Sequence, residues 1–403
     1  MKKYLSILLA FALCAIMAVA VCAADVYVND GGTGDGSSAE AALGSMTDAI
    51  NLIAEEGGTV HIVDTYTCAD EYVEPEHAGD IVITGGKYVF TNGKYNRWYL
   101  SGTGSTTFEN ITFEYGAGTT SLFVARFNTL VMGEGITMPE TSGYVIGGYQ
   151  KVDGYATLAE MIEDLALATD KDSNVTVKSG SYHLVAGFCR GDDGARSTTT
   201  AFTGTSNITV TGGTMKTVYG GNINTNATSG GTNITITGGE MLGGVRTAGE
   251  AQVKAQVVGD ANINISGGNI ASLVVNNVLG KTNVETSGGI ITNAEKTLDE
   301  SLAELVVDGT ATLTALEGAK VSQMLADKFD TFVGEVFVPT IPVITKPVEE
   351  VTEAPAETSA PAEETTVAPA ASAEGGVNPA IIAIIAVVVV VIIVVIALPK
   401  KKK

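Results

Sequence analysis

One short phrase recurs along this chain and restricts its fold more than any other feature of the sequence. The phrase alternates polar and apolar residues and ends in a glycine, usually a glycine pair. Copies begin at Asp80, Asn110, Asn174, Asn207, Asn233, Asn262 and Asn283. Alternation with a period of two is the pattern of a half-buried β-strand. The recurrence therefore predicts a stack of similar strands rather than a set of unrelated ones.

Each copy, together with the short strand that often follows it, predicts one coil of a solenoid. From Asn174 onward the copies are 33, 26, 29 and 21 residues apart, so the coils carry loops of unequal length. The apolar positions are expected to stack inside, and the leading asparagines predict a hydrogen-bonded ladder at the corner. The terminal glycines predict positive φ or close backbone approach. The predicted fold class is all-β, a parallel β-helix solenoid.

Two segments predict short capping helices. Between Ser45 and Ala54, Ser45 and Asp48 suit an N-cap with an acidic first turn. A similar unit occupies 157–168, where Thr157 and Glu160 predict a capping box. The apolar stripe predicted for this second helix consists of Leu158, Met161, Ile162 and Leu165.

The beginning of the solenoid resembles a known family. The predicted elements are, in order, a strand from Asp25 that ends in polar residues, a Gly-rich turn around Asp35, the first helix, and an apolar strand from Gly57. This order is similar to the opening of right-handed parallel β-helix proteins of the pectin-lyase-like group. The resemblance implies a strand and helix that close the N-terminal end of the solenoid. The pectinolytic hydrolases of that group use Gly-His-Gly and Arg-x-Lys motifs, and this chain contains neither Gly-His-Gly nor Arg-Ile-Lys.

The two ends of the chain predict secretion and membrane anchoring. Residues 1–24 have the basic start, apolar run and small-residue end of a signal peptide. Residues 377–399 contain the unbroken apolar run Ala380–Leu398 and predict one transmembrane helix. The basic tail, 400–403, predicts a cytoplasmic C-terminus and an extracellular N-terminal ectodomain.

Composition divides the rest of the chain. Residues 339–376 are dominated by Pro, Thr, Glu and Ala and predict a disordered stalk. Before the stalk, the second helix suggests two β-helical segments, one at 25–154 with its capping helix and a repeat-bearing one at 155–338. The formal net charge of −22 argues against nucleic acid as a partner.

One loop concentrates opposite charges and is the first candidate site. It contains Arg190, Asp192, Asp193 and Arg196. Paired carboxylates could share a proton or bind Ca²⁺, and an arginine could clamp a uronate carboxylate. The alternative is a solvated turn, since Gly and Asp are turn formers. No metal site or cofactor is expected otherwise.

A second candidate is aromatic. Trp98 and Tyr99 belong to the densest aromatic cluster of the sequence and could stack on sugar rings. The alternative is that these rings pack over the end of a coil.

Together these features predict a membrane-anchored extracellular β-helix surface protein. The preferred hypothesis is a non-catalytic adhesin or glycan-binding rod, whose partner is a polysaccharide or a ligand on a host or neighbouring cell. The alternative is a membrane-tethered polysaccharide lyase or glycosidase. Catalytic candidates for that alternative are Asp192, Asp193 and Arg196.

Overall fold

The computed structural model describes residues 24–68, 72–91, 95–116, 120–139, 143–191, 200–249, 256–297, 310–317, 319 and 321–337. These residues belong to one compact unit, which ends before Ile341. The predicted signal peptide, stalk, transmembrane helix and basic tail lie outside the described residues. None of the helices in the described ranges is long and apolar enough to cross a membrane.

The described residues form mostly short strands with few helices. The helices are α1 (Met46–Ile53), α2 (Leu158–Asp164) and α3 (Gln323–Ala326). The strands up to the start of α2 are β1 (Ala24–Val28), β2 (Gly58–Ile62), β3 (Thr65–Cys68), β4 (Tyr72–Val73), β5 (Glu76–His77), β6 (Ile81–Thr84), β7 (Lys87–Phe90), β8 (Tyr95–Tyr99), β9 (Ser101–Gly102), β10 (Thr106–Glu109), β11 (Thr112–Tyr115), β12 (Thr120–Val124), β13 (Thr129–Met132) and β14 (Gly143–Ile146). The later strands are β15 (Ser173–Val177), β16 (Ser181–Ala186), β17 (Thr205–Val210), β18 (Thr214–Tyr219), β19 (Thr228–Ser229), β20 (Gly231–Ile236), β21 (Glu240–Met241), β22 (Val245–Arg246), β23 (Gln256–Val257), β24 (Ala261–Ile265), β25 (Asn269–Ile270), β26 (Leu273–Asn276), β27 (Thr282–Thr286), β28 (Ile290–Ile291), β29 (Ala294–Thr297), β30 (Ala311–Ala315) and β31 (Thr331–Val333).

Two long parallel sheets organise these strands. Sheet A has the order β1-β2-β6-β10-β13-β15-β17-β20-β24-β27-β30-β31. Sheet B has the order β28-β25-β21-β18-β16-β14-β12-β8-β4, with β22, β26 and β29 branching from β18. Sheet C is the short sheet β11-β7-β3. Apart from β1 with β2 and β30 with β31, the strands of sheets A and B pair in parallel with counterparts from the next coil rather than with the next strand in sequence. The fold is therefore mostly β with parallel sheets, as predicted for an all-β solenoid, and it is compatible with a parallel β-helix.

Sheet A runs through both of the β-helical segments that the sequence suggests. Strand β13, from the first segment, pairs in parallel with β15, from the second. In sheet B, β14 pairs with β16 across the same position. The division at 154/155 stays a prediction.

The interior is lined by one side chain from each coil in register. The row of paired residues in sheet A is Val175, Ile208, Ile234, Ile263, Val284 and Leu313, each no more than 1% exposed. Towards the N-terminus the interior becomes aromatic, with Tyr88, Phe90, Trp98, Phe108 and Phe123 in mutual ring contact. Because alternate residues point to opposite faces, the apolar positions of the repeated phrase form this core.

The first predicted helix is present and covers the N-terminal end. The Ser45 side chain accepts a hydrogen bond from the Asp48 amide at 3.1 Å, as expected of an N-cap. Met46, Ala49, Ile50 and Ile53 are buried against the core. The Leu43 amide donates to the Tyr27 carbonyl, so the loop before α1 also covers the outer edge of β1.

The second predicted helix is present but its apolar stripe is shorter than expected. The Thr157 hydroxyl accepts from the Glu160 amide at 3.1 Å, and the Glu160 carboxylate accepts from the Ala156 amide rather than from Thr157. Leu158, Met161 and Ile162 are buried. The expectation for Leu165 is wrong: it lies past the last turn as the C-cap and is 50% exposed.

The glycine pair Gly238 and Gly239, at the corner after β20, shows both predicted roles. Gly239 has a φ of 87°, which a residue with a Cβ rarely adopts. A Cβ on Gly238 would lie 2.2 Å from the Thr211 carbonyl oxygen of the preceding coil. The first glycine therefore permits close stacking. The second mainly permits the turn, although a Cβ there would also lie 2.9 Å from the Gly212 carbonyl oxygen.

The predicted asparagine ladder exists on the outer face of sheet A. In each step the Nδ2 of one asparagine donates to the Oδ1 of the asparagine one coil earlier, at 2.9–3.2 Å. The members are Asn174, Asn207, Asn233, Asn262 and Asn283. Each lies within a strand rather than at the corner, because the polar face of the strand points outward there.

Breaking the ladder at its centre should destabilise the fold. Asn233 donates to Asn207 and accepts from Asn262, so Asn233→Ala removes two hydrogen bonds. We expect the free energy of unfolding to fall by about 1–3 kcal/mol, at about 0.5–1.5 kcal/mol per bond. Urea unfolding followed by far-UV circular dichroism measures this. Asn264→Ala, an exposed asparagine of sheet A outside the ladder, is the matched control, and equal losses in both variants would contradict a stabilising ladder.

Candidate ligand-binding face

The outer face of sheet B carries an apolar cluster of its own. Strand alternation sends Trp98, Phe123 and Val145 into the interior, so the residues on either side of them point outward. The outward cluster consists of Tyr99, Leu122, Val124, Ile146, Leu184, Ala186 and Ile223, all buried. Because Ile223 belongs to it and Val152 packs against it, the segments that follow the strands of sheet B fold back over this face.

Positive side chains collect around this cluster. The arginines that the structure describes are Arg97, Arg126, Arg190 and Arg246. Arg97 and Arg246 belong to strands β8 and β22 of sheet B. Arg126 and Arg190 follow β12 and β16, and their guanidinium groups lie over tyrosines of the same face. In a chain with a formal net charge of −22, this concentration of arginine on one face is unexpected.

At the N-terminal end of the face, the arginines are engaged by carboxylates. The Arg126 guanidinium lies 4.3 Å from the centre of the Tyr99 ring and pairs with Glu74. Arg97 lies 3.7 Å from the Asp153 carboxylate, whose side chain is 82% exposed. The Tyr99 ring and Glu74 hold the Arg126 guanidinium in place, and Asp153 pairs with that of Arg97.

Arg190 occupies the centre of the face. Its guanidinium lies 5.4 Å from the centre of the Tyr144 ring, and its Nη1 donates to the Gln150 side-chain oxygen at 3.2 Å. The backbones of Gln150, Arg190 and Ile223 pair in parallel along the edge of the face. The planar fork of this arginine is therefore fixed against an aromatic ring before any ligand arrives.

A β-bulge brings His183 next to the same tyrosine. The pairing of β14 with β16 passes from Gly143–Tyr182 to Tyr144–Leu184, so His183 has no residue opposite it on β14. Its ring centre lies 5.0 Å from that of Tyr144. Burial lowers the pKa of His183 below its ordinary value of about 6.5, and Lys216 and Arg190 lower it further. This imidazole is therefore neutral at pH 7.

Lys216 and Arg246 complete the face towards the C-terminus. Lys216 is exposed and Arg246 is half-buried. Neither forms an ion pair with any residue that the structure describes. Tyr219 is the residue paired with Arg246 on the neighbouring strand, so a tyrosine again lies beside a cation. The face thus offers alternating tyrosines and cations along several coils.

The residues that the sequence singled out are only partly brought together. Arg190 lies at the centre of the face, while Asp192, Asp193 and Arg196 lie outside the described residues. Trp98 is 1% exposed inside the core, where its Nε1 donates to the Tyr88 hydroxyl at 2.9 Å. Tyr99 points outward but is also 1% exposed beneath Arg126. Neither ring offers a face to solvent in this structure.

The described residues suggest no metal centre. No group of three or more His, Cys, Asp or Glu side chains in the described ranges is placed to hold a metal ion. The carboxylates considered for Ca²⁺, Asp192 and Asp193, fall outside those ranges.

Sequence reasoning missed Tyr144, His183, Lys216, Tyr219 and Arg246. These residues share no motif, and unequal coil lengths separate them irregularly along the chain. A usable signal did exist: arginine is rare here, and the described ones occur in, or a few residues after, strands of the second sheet. Aligning the arginines to the coils would have indicated one shared face.

Comparison with known proteins adds no further constraint, since no protein-family model, curated protein or solved structure matches this chain.

Proposed function

We propose that this chain is a secreted, membrane-anchored surface protein that binds an anionic polysaccharide along the outer face of sheet B without cleaving it. The observation that carries the proposal is the collection of Arg190, Lys216 and Arg246 with Tyr144 and Tyr219 on one face of an acidic protein. The acidic remainder of the surface repels polyanions, which favours binding at this face alone.

The chemistry of these side chains matches a uronate or sulfated polymer. A guanidinium can donate two parallel hydrogen bonds to a carboxylate. The guanidinium of Arg190 is already ordered by stacking on the Tyr144 ring. Tyrosine rings provide flat apolar surface for the faces of sugar rings. Since the cations recur from coil to coil, a linear polymer can contact several of them at once.

Display at the cell surface rests on the sequence. The predicted signal peptide, stalk and C-terminal transmembrane helix place the solenoid outside the cell and away from the bilayer. The resemblance of the N-terminal strand, turn and helix to the pectin-lyase-like group supports a polysaccharide as the ligand class, by analogy of fold.

One observation favours a second candidate, a polysaccharide lyase or glycosidase. The Gly191 amide donates to the Ile223 carbonyl at 3.0 Å, so the charged loop begins at the edge of the face, directly after Arg190. Asp192, Asp193 and Arg196 fall within the next five residues of the sequence. A carboxylate from that loop beside an arginine would resemble the acid–base sets of polysaccharide-degrading enzymes.

Removing two cations should weaken binding of polygalacturonate to the full-length chain. We expect about a tenfold or greater loss of affinity for Lys216→Ala combined with Arg246→Ala, because losing even one hydrogen bond to a charged group costs about 1.5–3 kcal/mol and about 1.4 kcal/mol is tenfold. Affinity should also fall with added salt. Lys171→Ala combined with Lys178→Ala, exposed lysines near β15, changes the net charge equally and is the matched control.

The same incubation distinguishes the two candidate functions. Mass spectrometry of the soluble fraction should find no new oligosaccharides if the protein only binds. Shortened or unsaturated products would establish the enzyme instead. Equal losses in the two double variants would show that net charge, rather than the face of sheet B, determines binding.

A further inference from the structure

The outer face of sheet A carries a regular array of uncharged polar side chains. Three central strands, β17, β20 and β24, each contribute two outward residues in register, and a third outward residue follows directly after each strand. The array consists of Asn207, Thr209, Thr211, Asn233, Thr235, Thr237, Asn262, Asn264 and Ser266. Each row repeats at the spacing of paired strands, about 4.8 Å, along the solenoid.

The absence of charge from this array distinguishes it from the rest of the protein. The chain contains 45 acidic and 23 basic residues, yet all nine array positions carry amides or hydroxyls. On the same rows, Lys178 and Glu285 lie on the coils to either side and mark its limits. A charged polymer would find no opposite charge within the array to offset the loss of water around its own charges. An uncharged polymer has no charge to desolvate, so it does not bear this cost.

The ladder orients the asparagine side chains of the array without using all of their hydrogen-bonding groups. Each asparagine has two N–H donors and an oxygen with two lone pairs. Asn233 uses one donor towards Asn207 and one lone pair towards Asn262. One N–H and one lone pair per asparagine therefore stay available, in an orientation that the neighbouring coils fix.

A shallow depression continues the array towards the C-terminus. It has a volume of about 80 Å³ and is lined by array residues Thr235, Asn264 and Ser266 together with Glu285, Ser287 and Leu316. Leu316 is 46% exposed and gives the depression an apolar wall. Hydroxyls, amides and one apolar surface together suit the hydroxyl edge and the C–H face of a sugar ring.

We propose that this array is a second binding surface, for the chain of an uncharged polysaccharide lying along the solenoid axis. The site is separate from the cationic face of sheet B and takes a ligand of different chemistry. A single neutral hydrogen bond exposed to water contributes only about 0.5–1.5 kcal/mol, so binding depends on repeated contacts in register. A polymer with regularly spaced hydroxyl groups satisfies that requirement.

The test introduces charge into the array of the full-length chain. Thr209→Glu combined with Thr235→Glu places two carboxylates in its central row, at half-buried outward positions. Thr59→Glu combined with Thr107→Glu is the matched control, because these threonines occupy the same row of sheet A on earlier coils. Depletion of each protein from solution by insoluble cellulose and by insoluble chitin is measured in one detergent buffer.

We expect the native chain and the control to be depleted by at least one of the two polymers. The array variant should bind that polymer about tenfold more weakly or worse. Failure of the native chain to bind either polymer would overturn the proposal, as would equal binding by the array variant or an equal loss in the control. Polygalacturonate binding, measured in parallel, should not change in the array variant, so failure here is distinguishable from failure of the sheet B proposal.

Discussion

Replacing Trp98 with alanine is expected to lower the free energy of unfolding by about 3–5 kcal/mol, the usual cost of truncating a buried tryptophan. The ring is 1% exposed, packs edge-on against Phe108 with centres 5.1 Å apart, and donates from Nε1 to the Tyr88 hydroxyl. Truncation opens a cavity among aromatic side chains and leaves a buried hydroxyl without its donor. Few other substitutions should have so large an effect.

Two further variants separate the causes. Trp98→Phe keeps an aromatic ring but loses the N–H donor. Its free energy of unfolding should therefore lie between those of the native chain and of Trp98→Ala. Phe337→Ala removes a ring that is 44% exposed and should cost much less. Since Trp98 is the only tryptophan of the chain, unfolding must be followed by far-UV circular dichroism rather than fluorescence. A loss below about 1 kcal/mol for Trp98→Ala would contradict the position of this ring in the core.

Adding one methyl group to Gly238 should also be strongly destabilising. A Cβ there would lie 2.2 Å from the Thr211 carbonyl oxygen, and a backbone atom cannot rotate away as a side chain can. We expect the free energy of unfolding to fall by about 3 kcal/mol, the upper part of the range for overpacking, because the coils must separate to relieve the contact.

Substitution of the neighbouring glycine, Gly239, should be destabilising for a different main reason. Gly239→Ala places a Cβ at a φ of 87° and 2.9 Å from the Gly212 carbonyl oxygen, which should cost about 1–2 kcal/mol, mainly through backbone strain. Thr237→Ala alters an exposed side chain beside the same corner and should change stability little. Chemical denaturation of the three variants measures the order. The order Gly238→Ala, Gly239→Ala, Thr237→Ala, from the most to the least destabilised, is expected, and any other order would contradict the division of roles between the two glycines.

Sheet A could be predicted from the sequence because its information is local. The alternation around Asn207, Asn233 and Asn262 determines which residues face inward, and equal positions in each phrase determine the register. The ladder and the apolar interior follow directly from these two facts. The N-cap residues Ser45 and Thr157 likewise identified two helices from a few neighbouring residues.

Sheet B could not be predicted in the same way. Strands such as Thr120–Val124 are apolar on both faces, so their sequence does not indicate which face meets the core and which meets the covering segments. The sequence around Trp98 left open whether its rings stack on sugars or pack within the protein, and the structure buries both Trp98 and Tyr99. The meeting of Arg190 with Tyr144 and His183 depends on the lengths of intervening loops and on a bulge, which no local pattern encodes.

Register between nearly identical phrases also has an evolutionary consequence. Asn207 and Asn233 stand 26 residues apart at equivalent positions, and their strands pair residue for residue from Thr205–Gly231 to Val210–Ile236. Duplication or loss of one such interval would rejoin two matching strands without disturbing the closed end at α1. Recombination between neighbouring repeats could therefore lengthen or shorten the surfaces of this protein by whole coils. The length of each surface would then vary among descendants, while the side chains that each coil presents would stay the same.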